Sequence, residues 1–187
     1  MDNLTNDFIA LFNAFWYRDF PVVEKHKPLG KRAEWTLHIG FCVRSCADLL
    51  GFFTHFETGN RTDAVIKDNR GNDLIHIEWE WSEPRDKAVN EIRKLSESSK
   101  GVLSILITYS FIDKLKDNLD SIREQWSGDD ALLIFIITCS YDTGSGRIFE
   151  NIETFSLKGG RWQTLRTQPA LPWKCTGKRW ETGQPDA

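Results

Sequence analysis

The chain has 187 residues, 40% hydrophobic, with eight Trp and twelve Phe. That is the size of one domain and enough apolar material for a real core, which excludes a disordered chain. The formal charge of -3 excludes a globally basic, nucleic-acid-coating protein, although a local basic patch can coexist with it.

Cys42, Cys46, Cys139 and Cys175 include no CxxC pair, so free buried thiols in a reducing compartment are expected. The start MDNLTNDFIALF lacks the basic region and cleavage site of a signal peptide. The longest apolar run, 131–137, falls far short of the roughly 20 residues a membrane span needs. A cytoplasmic protein with no membrane contact is the expectation.

In chain order, 4–17 has apolar residues at helical spacing: Leu4, Phe8, Leu11, Phe12, Phe15 and Trp16. Such an aromatic face has to be covered: core packing is the stronger reading, and a partner chain, as in a homodimer, is the alternative. Pro21, Pro28 and Gly30 mark a loop. Residues 31–53 read as a second helix, with Trp35, Ile39, Cys42, Cys46 and Leu49 on one stripe. Three strands follow: 52–56, one carrying Asp63, and one running to Trp81. The last two are joined by the turn Asn69-Arg70-Gly71-Asn72.

Ser82-Glu83-Pro84 reads as the start of a helix with Ala88, Val89, Ile92 and Leu95 on its apolar side. Residues 102–109 and 131–139 are nearly continuous apolar runs, as strands covered on both faces are. A helix over 111–126 separates them. Helix–strand alternation here implies parallel pairing. Residues 141–168 suggest a β-hairpin added at the sheet edge, and 169–187 a weakly ordered tail. One domain is expected over 1–187, with an N-terminal helix and loop (1–30) and a core (31–140).

The chemistry concentrates in 58–81. Side chains alternate across a strand, so Leu74, His76, Glu78 and Glu80 share one face and Ile75, Ile77, Trp79 and Trp81 the other. If the Ile/Trp face is buried, Glu78 and Glu80 stand side by side, and Asp63 joins them from the neighbouring strand. Converging carboxylates repel unless a cation sits among them, and hard oxygen ligands suit Mg²⁺ or Mn²⁺. The competing reading makes these acids the solvated face of an edge hairpin, with Asp63 paired to Arg61 or Lys67.

Glu34, His38, Cys42 and Cys46 recur every four residues, but successive turns drift around the helix and do not converge on a zinc ion; core thiols are the better reading. No Ser or Cys carries a nucleophile signature, and no Gly-rich phosphate loop is present. Lys25, Lys27, Lys31 and Arg32, and Lys174, Lys178 and Arg179 beside Trp173 and Trp180, are local basic clusters able to contact a phosphate backbone.

The element order and the acids resemble the restriction-endonuclease-like, or PD-(D/E)xK, nuclease superfamily over roughly 31–109. Thr62-Asp63 stands for the first motif element and Glu78-Trp79-Glu80 for the second, with Glu80 where the family has lysine. Glu34 matches an acid that many members carry on the first core helix. The resemblance implies an α/β fold with a central mixed sheet flanked by helices: an αβββαβ core with added C-terminal strands. It implies a divalent-metal-dependent nuclease acting on DNA rather than RNA. Asp63, Glu78 and Glu80 are then the catalytic acids and, with Glu34, the metal ligands. Lys87 on the following helix would supply the missing positive charge. The alternative under the same resemblance is a non-catalytic domain that binds protein or nucleic acid.

Overall fold

The computed structural model describes residues 3–20, 32–58, 62–86, 89–98, 100–143 and 146–174. The elements are α1 (Asn3–Arg18), α2 (Arg32–Leu49), β1 (Phe53–Thr58), β2 (Thr62–Lys67), β3 (Asp73–Glu80), α3 (Glu91–Ser98), β4 (Leu103–Phe111), α4 (Leu115–Gln125), β5 (Leu132–Asp142), β6 (Gly146–Lys158) and β7 (Arg161–Pro169). All seven strands form one sheet in sequence order, β1 to β7. The pairs β3–β4 and β4–β5 are parallel and the others antiparallel. The protein is therefore α/β with a mixed sheet, and the sheet extends beyond the expected core.

Helices cover both faces. On one, Phe8, Phe12 and Trp16 of α1 and Trp35, Ile39, Cys42 and Val43 of α2 pack on Ile66, Ile75, Ile77, Ile105, Ile107, Phe135 and Ile137. On the other, Ile92 and Leu95 of α3 and Ile122 of α4 pack on Leu106, Leu132, Ile134 and Ile136. The alternation expected of 74–81 holds in part. Ile75, Ile77, Trp79 and Trp81 pack in the first core and Glu78 meets Lys94 of α3, but Leu74, beside the β-bulge at Ile66/Lys67, also packs on the first core, and Glu80 meets Arg32 of α2. The β2–β3 turn closes on Asp68, whose carboxylate accepts the N–H groups of Arg70 and Asn72. Gly71, at φ +84°, takes the left-handed conformation that a side chain would resist.

Three expectations need correction. The helix read from Pro84 begins only at Glu91. Glu83 is not capping a helix there; it reaches sideways to the Phe111 N–H (3.3 Å) and Asn118 Nδ2 (2.9 Å), and the chain turns locally at Asp86 and Val89. The helix read over 111–126 opens with a 3₁₀ turn, Ile112–Lys114. The tail is pinned as far as Lys174, because Trp16 Nε1 donates to the Ala170 carbonyl at 2.8 Å and the Tyr17 hydroxyl to that of Pro169 at 2.5 Å. Ala170 is wholly buried. The aromatic face of α1 packs into this chain's own core, as the stronger of the two readings has it.

Candidate active site

The hairpin register builds the centre of the site. Ala64 pairs with Ile77 and Val65 with His76, so the next step places Asp63 beside Glu78 on the α3 side of the sheet. Asp63 Oδ2 accepts the Trp79 N–H at 2.8 Å, which ties the carboxylate to the neighbouring strand. Glu78 is fully buried, and among the described residues its oxygens meet only the Asp63 carboxyl and Lys94. Lys94, from α3, brings Nζ to 3.5 Å from Glu78 Oε2 and 3.5 Å from Glu91 Oε1.

The electrostatics follow from burial. Loss of water pushes Glu78 up to about 8, and the negative charge of Asp63 adds to the rise, against the pull of Lys94. Burial likewise lifts Asp63 above the usual aspartate range, opposed by the Trp79 N–H. Burial also works against the charge on Lys94, but Glu78, Glu91 and Asp63 outweigh it and raise the ammonium's pKa. The result is an acidic pair close to sharing one proton, with a firmly charged lysine against it.

A hollow of about 210 Å³ opens between the start of α2, the ends of β2 and β3, and the start of α3. Arg32, Thr36, Asp63, Glu80, Glu91 and Tyr109 are among its walls. Asp63 thus has Glu78 on one side and Glu80 across the hollow. Glu80 is already engaged: its Oε1 accepts the Ser82 N–H at 2.8 Å and lies 3.4 Å from Arg32 Nη2. Glu34, in the first turn of α2, does not line the hollow. Lys87 lies outside the described residues. Among the described residues no three His, Cys, Asp or Glu side chains converge as a metal cluster. What the fold assembles is the Asp63–Glu78 carboxylate pair and a lysine that Glu91 also holds.

Lys94 and Glu91 escape the sequence reading. A helix started at Pro84 puts the nearest lysine at position 87. The usable signal is local: Lys94 stands three residues after the acidic Glu91 and between Ile92 and Leu95, so on an amphipathic helix it flanks the buried stripe.

The neighbouring polar residues settle elsewhere. Lys67 pairs with Asp73, not Asp63, and His76 Nε2 lies 2.9 Å from Asp73 Oδ2, turned away from Glu78. Arg61, Lys25, Lys27, Lys31, Lys178, Arg179 and Trp180 lie outside the described residues, while Lys174 pairs with Glu150 at 2.8 Å. Cys42, Cys46 and Cys139 are free, buried thiols. His38 sits in an aromatic box of Trp16, Phe20 and Trp35.

The donor set suits a hard divalent cation on one observation in particular: a buried and a half-buried carboxylate stand side by side, and among the described residues the nearest donor to the Glu78 oxygens outside that pair is Lys94 Nζ, no closer than 3.5 Å. Compared with known proteins, the chain matches no family model and no curated sequence. No helix among the described residues is long and apolar enough to cross a membrane.

Proposed function

We propose that this protein is a divalent-metal-dependent nuclease that hydrolyses phosphodiester bonds, in DNA rather than RNA. The observation that carries the reading is Lys94 held 3.5 Å from the buried Glu78 beside Asp63. A carboxylate pair with an adjacent cation is the minimum set for the reaction, and the strand position expected to carry lysine holds Glu80. Supply of the charge from α3 removes that objection. The order of the elements, with Asp63 at the start of β2 and Glu78 on β3, supports a restriction-endonuclease-like reading of the fold.

Asp63 and Glu78 would hold Mg²⁺ or Mn²⁺. When bound, such an ion neutralises phosphate charge and lowers the pKa of a coordinated water. The chain's own residues do the rest. Lys94 keeps Glu78 ionised once the shared proton leaves and presents positive charge beside the reacting oxygens. Arg32, its side chain 65% exposed, stands at the mouth of the hollow to meet a phosphate, and Glu80 restrains it there.

One observation favours a non-catalytic domain of the same fold: Glu78 is sealed from solvent and Glu80 is taken up by Arg32 and Ser82. Cleavage of plasmid and single-stranded DNA with Mg²⁺ or Mn²⁺ decides between them. Wild type is expected to cut, and Glu78→Gln and Lys94→Met to lose activity about a hundredfold or more. No cutting with either metal, or equal cutting by the variants, defeats the nuclease reading.

A further inference from the structure

A second, larger hollow of about 500 Å³ lies beyond the carboxyl ends of β3, β4 and β5, where open α/β sheets place their ligands. Trp81, Ser82, Arg85, Phe111 and Arg147 are among its walls. The Arg147 guanidinium carbon sits 4.5 Å from the Trp81 ring centre and 5.4 Å from that of Phe111. Arg147 Nη1 is buried and has no hydrogen-bond partner. No carboxylate among the described residues forms an ion pair with it. A guanidinium fixed between two rings has little freedom left to lose on binding, and its unmet donor calls for an acceptor.

A second unmet group stands beside it. Tyr109 is 3% exposed, lines this hollow, and its hydroxyl has no partner. Glu83, also in the wall, is occupied by Asn118, the Phe111 N–H and Arg85. With Asp86 it disfavours a doubly charged ligand, so a singly charged phosphodiester fits better than a terminal phosphate. Trp81 and Tyr109 line both hollows, so the two sites adjoin across this aromatic pair.

We propose that this larger hollow holds one nucleotide of a single nucleic-acid strand, its backbone phosphate on Arg147, next to the nucleotide at Asp63. The proposal rests on the nuclease reading for its ligand class. Its test is separate from cutting, because it measures binding in EDTA.

The probe is a fluorescein-labelled single-stranded DNA 12-mer, titrated by anisotropy between 50 and 200 mM NaCl. Each phosphate neutralised on a single strand contributes a slope of about 0.7 to the log–log salt dependence. Arg147→Met, which keeps the packing between the rings, is expected to lower the slope by about that amount and to weaken binding roughly five- to tenfold. Arg147→Lys is expected to retain the slope. Arg147→Gln replaces the Met variant if the latter does not fold.

Equal slopes for wild type and the truncated variant overturn the Arg147 site, whether or not the protein cuts DNA. Binding with the full Arg147-dependent slope by a protein that never cuts leaves this site standing and removes only the hydrolytic reading. A wild type that does not bind the 12-mer overturns the proposal outright.

Discussion

Lys94 Nζ stands 3.5 Å from an oxygen of Glu78 that solvent does not reach. Burial raises the pKa of Glu78 to about 8 from an ordinary 4.5, so the folded protein holds a proton that the unfolded chain has released. The stabilisation from that proton is complete below the ordinary glutamate range. It is lost as pH rises from there to about 8 and then levels off. The urea midpoint of wild type is expected to fall between pH 5 and 8, by an amount on the order of 3 kcal/mol in unfolding free energy. Glu78→Gln, which cannot ionise, flattens that part of the curve; an unchanged curve refutes the assignment.

The same proton couples to metal. A cation that binds Asp63 and Glu78 competes with it, so Mn²⁺ binding at pH 7 is expected to release close to one proton and to tighten as pH approaches 8. Calorimetry in buffers of different ionisation enthalpy measures the release. Asp63→Asn should abolish the binding heat.

His38 gives the opposite slope. Burial within Trp16, Phe20 and Trp35 lowers its pKa to about 4 from 6.5, so the unfolded chain binds a proton that the folded one refuses. Stability is expected to drop as pH falls from about 6.5 towards 4. His38→Leu should lessen the drop, as urea titrations at pH 7 and pH 5 would show.

Trp16 joins the two ends of the described chain by donating to Ala170. Trp16→Phe keeps most of the ring packing but leaves a buried carbonyl unmet, which costs about 1–3 kcal/mol. Trp16→Ala should cost about 3–5 kcal/mol. Thermal unfolding gives the ranking, and cleavage between 169 and 174 in limited proteolysis should rise with it.

Much of this architecture can be read from spacing alone. The apolar period of two in β3 and the turn at 69–72 give the hairpin, but not the register that puts Asp63 beside Glu78: a β-bulge between Ile66 and Lys67 shifts the pairing from Lys67–Asp73 to Ile66–Ile75. The apolar runs at 102–109 and 131–139 are the parallel strands, buried on both sides. Two further misses share a cause: a side chain used over a long sequence distance. Glu83 looks like a helix-starting acid until Asn118, 35 residues away, takes its carboxylate. The Pro169 and Ala170 carbonyls look like tail backbone until Trp16 and Tyr17 reach them. Lys94 escapes because a helix started at Pro84 points to position 87, whereas α3 begins at Glu91.

The indole of Trp81 and the phenol of Tyr109, 4.6 Å apart, form a common partition between the two hollows. If the proposed strand occupies both hollows, it has to bend around this aromatic pair. A small residue at position 81 would widen the gap between them, so the bend asked of the proposed strand depends on these two rings.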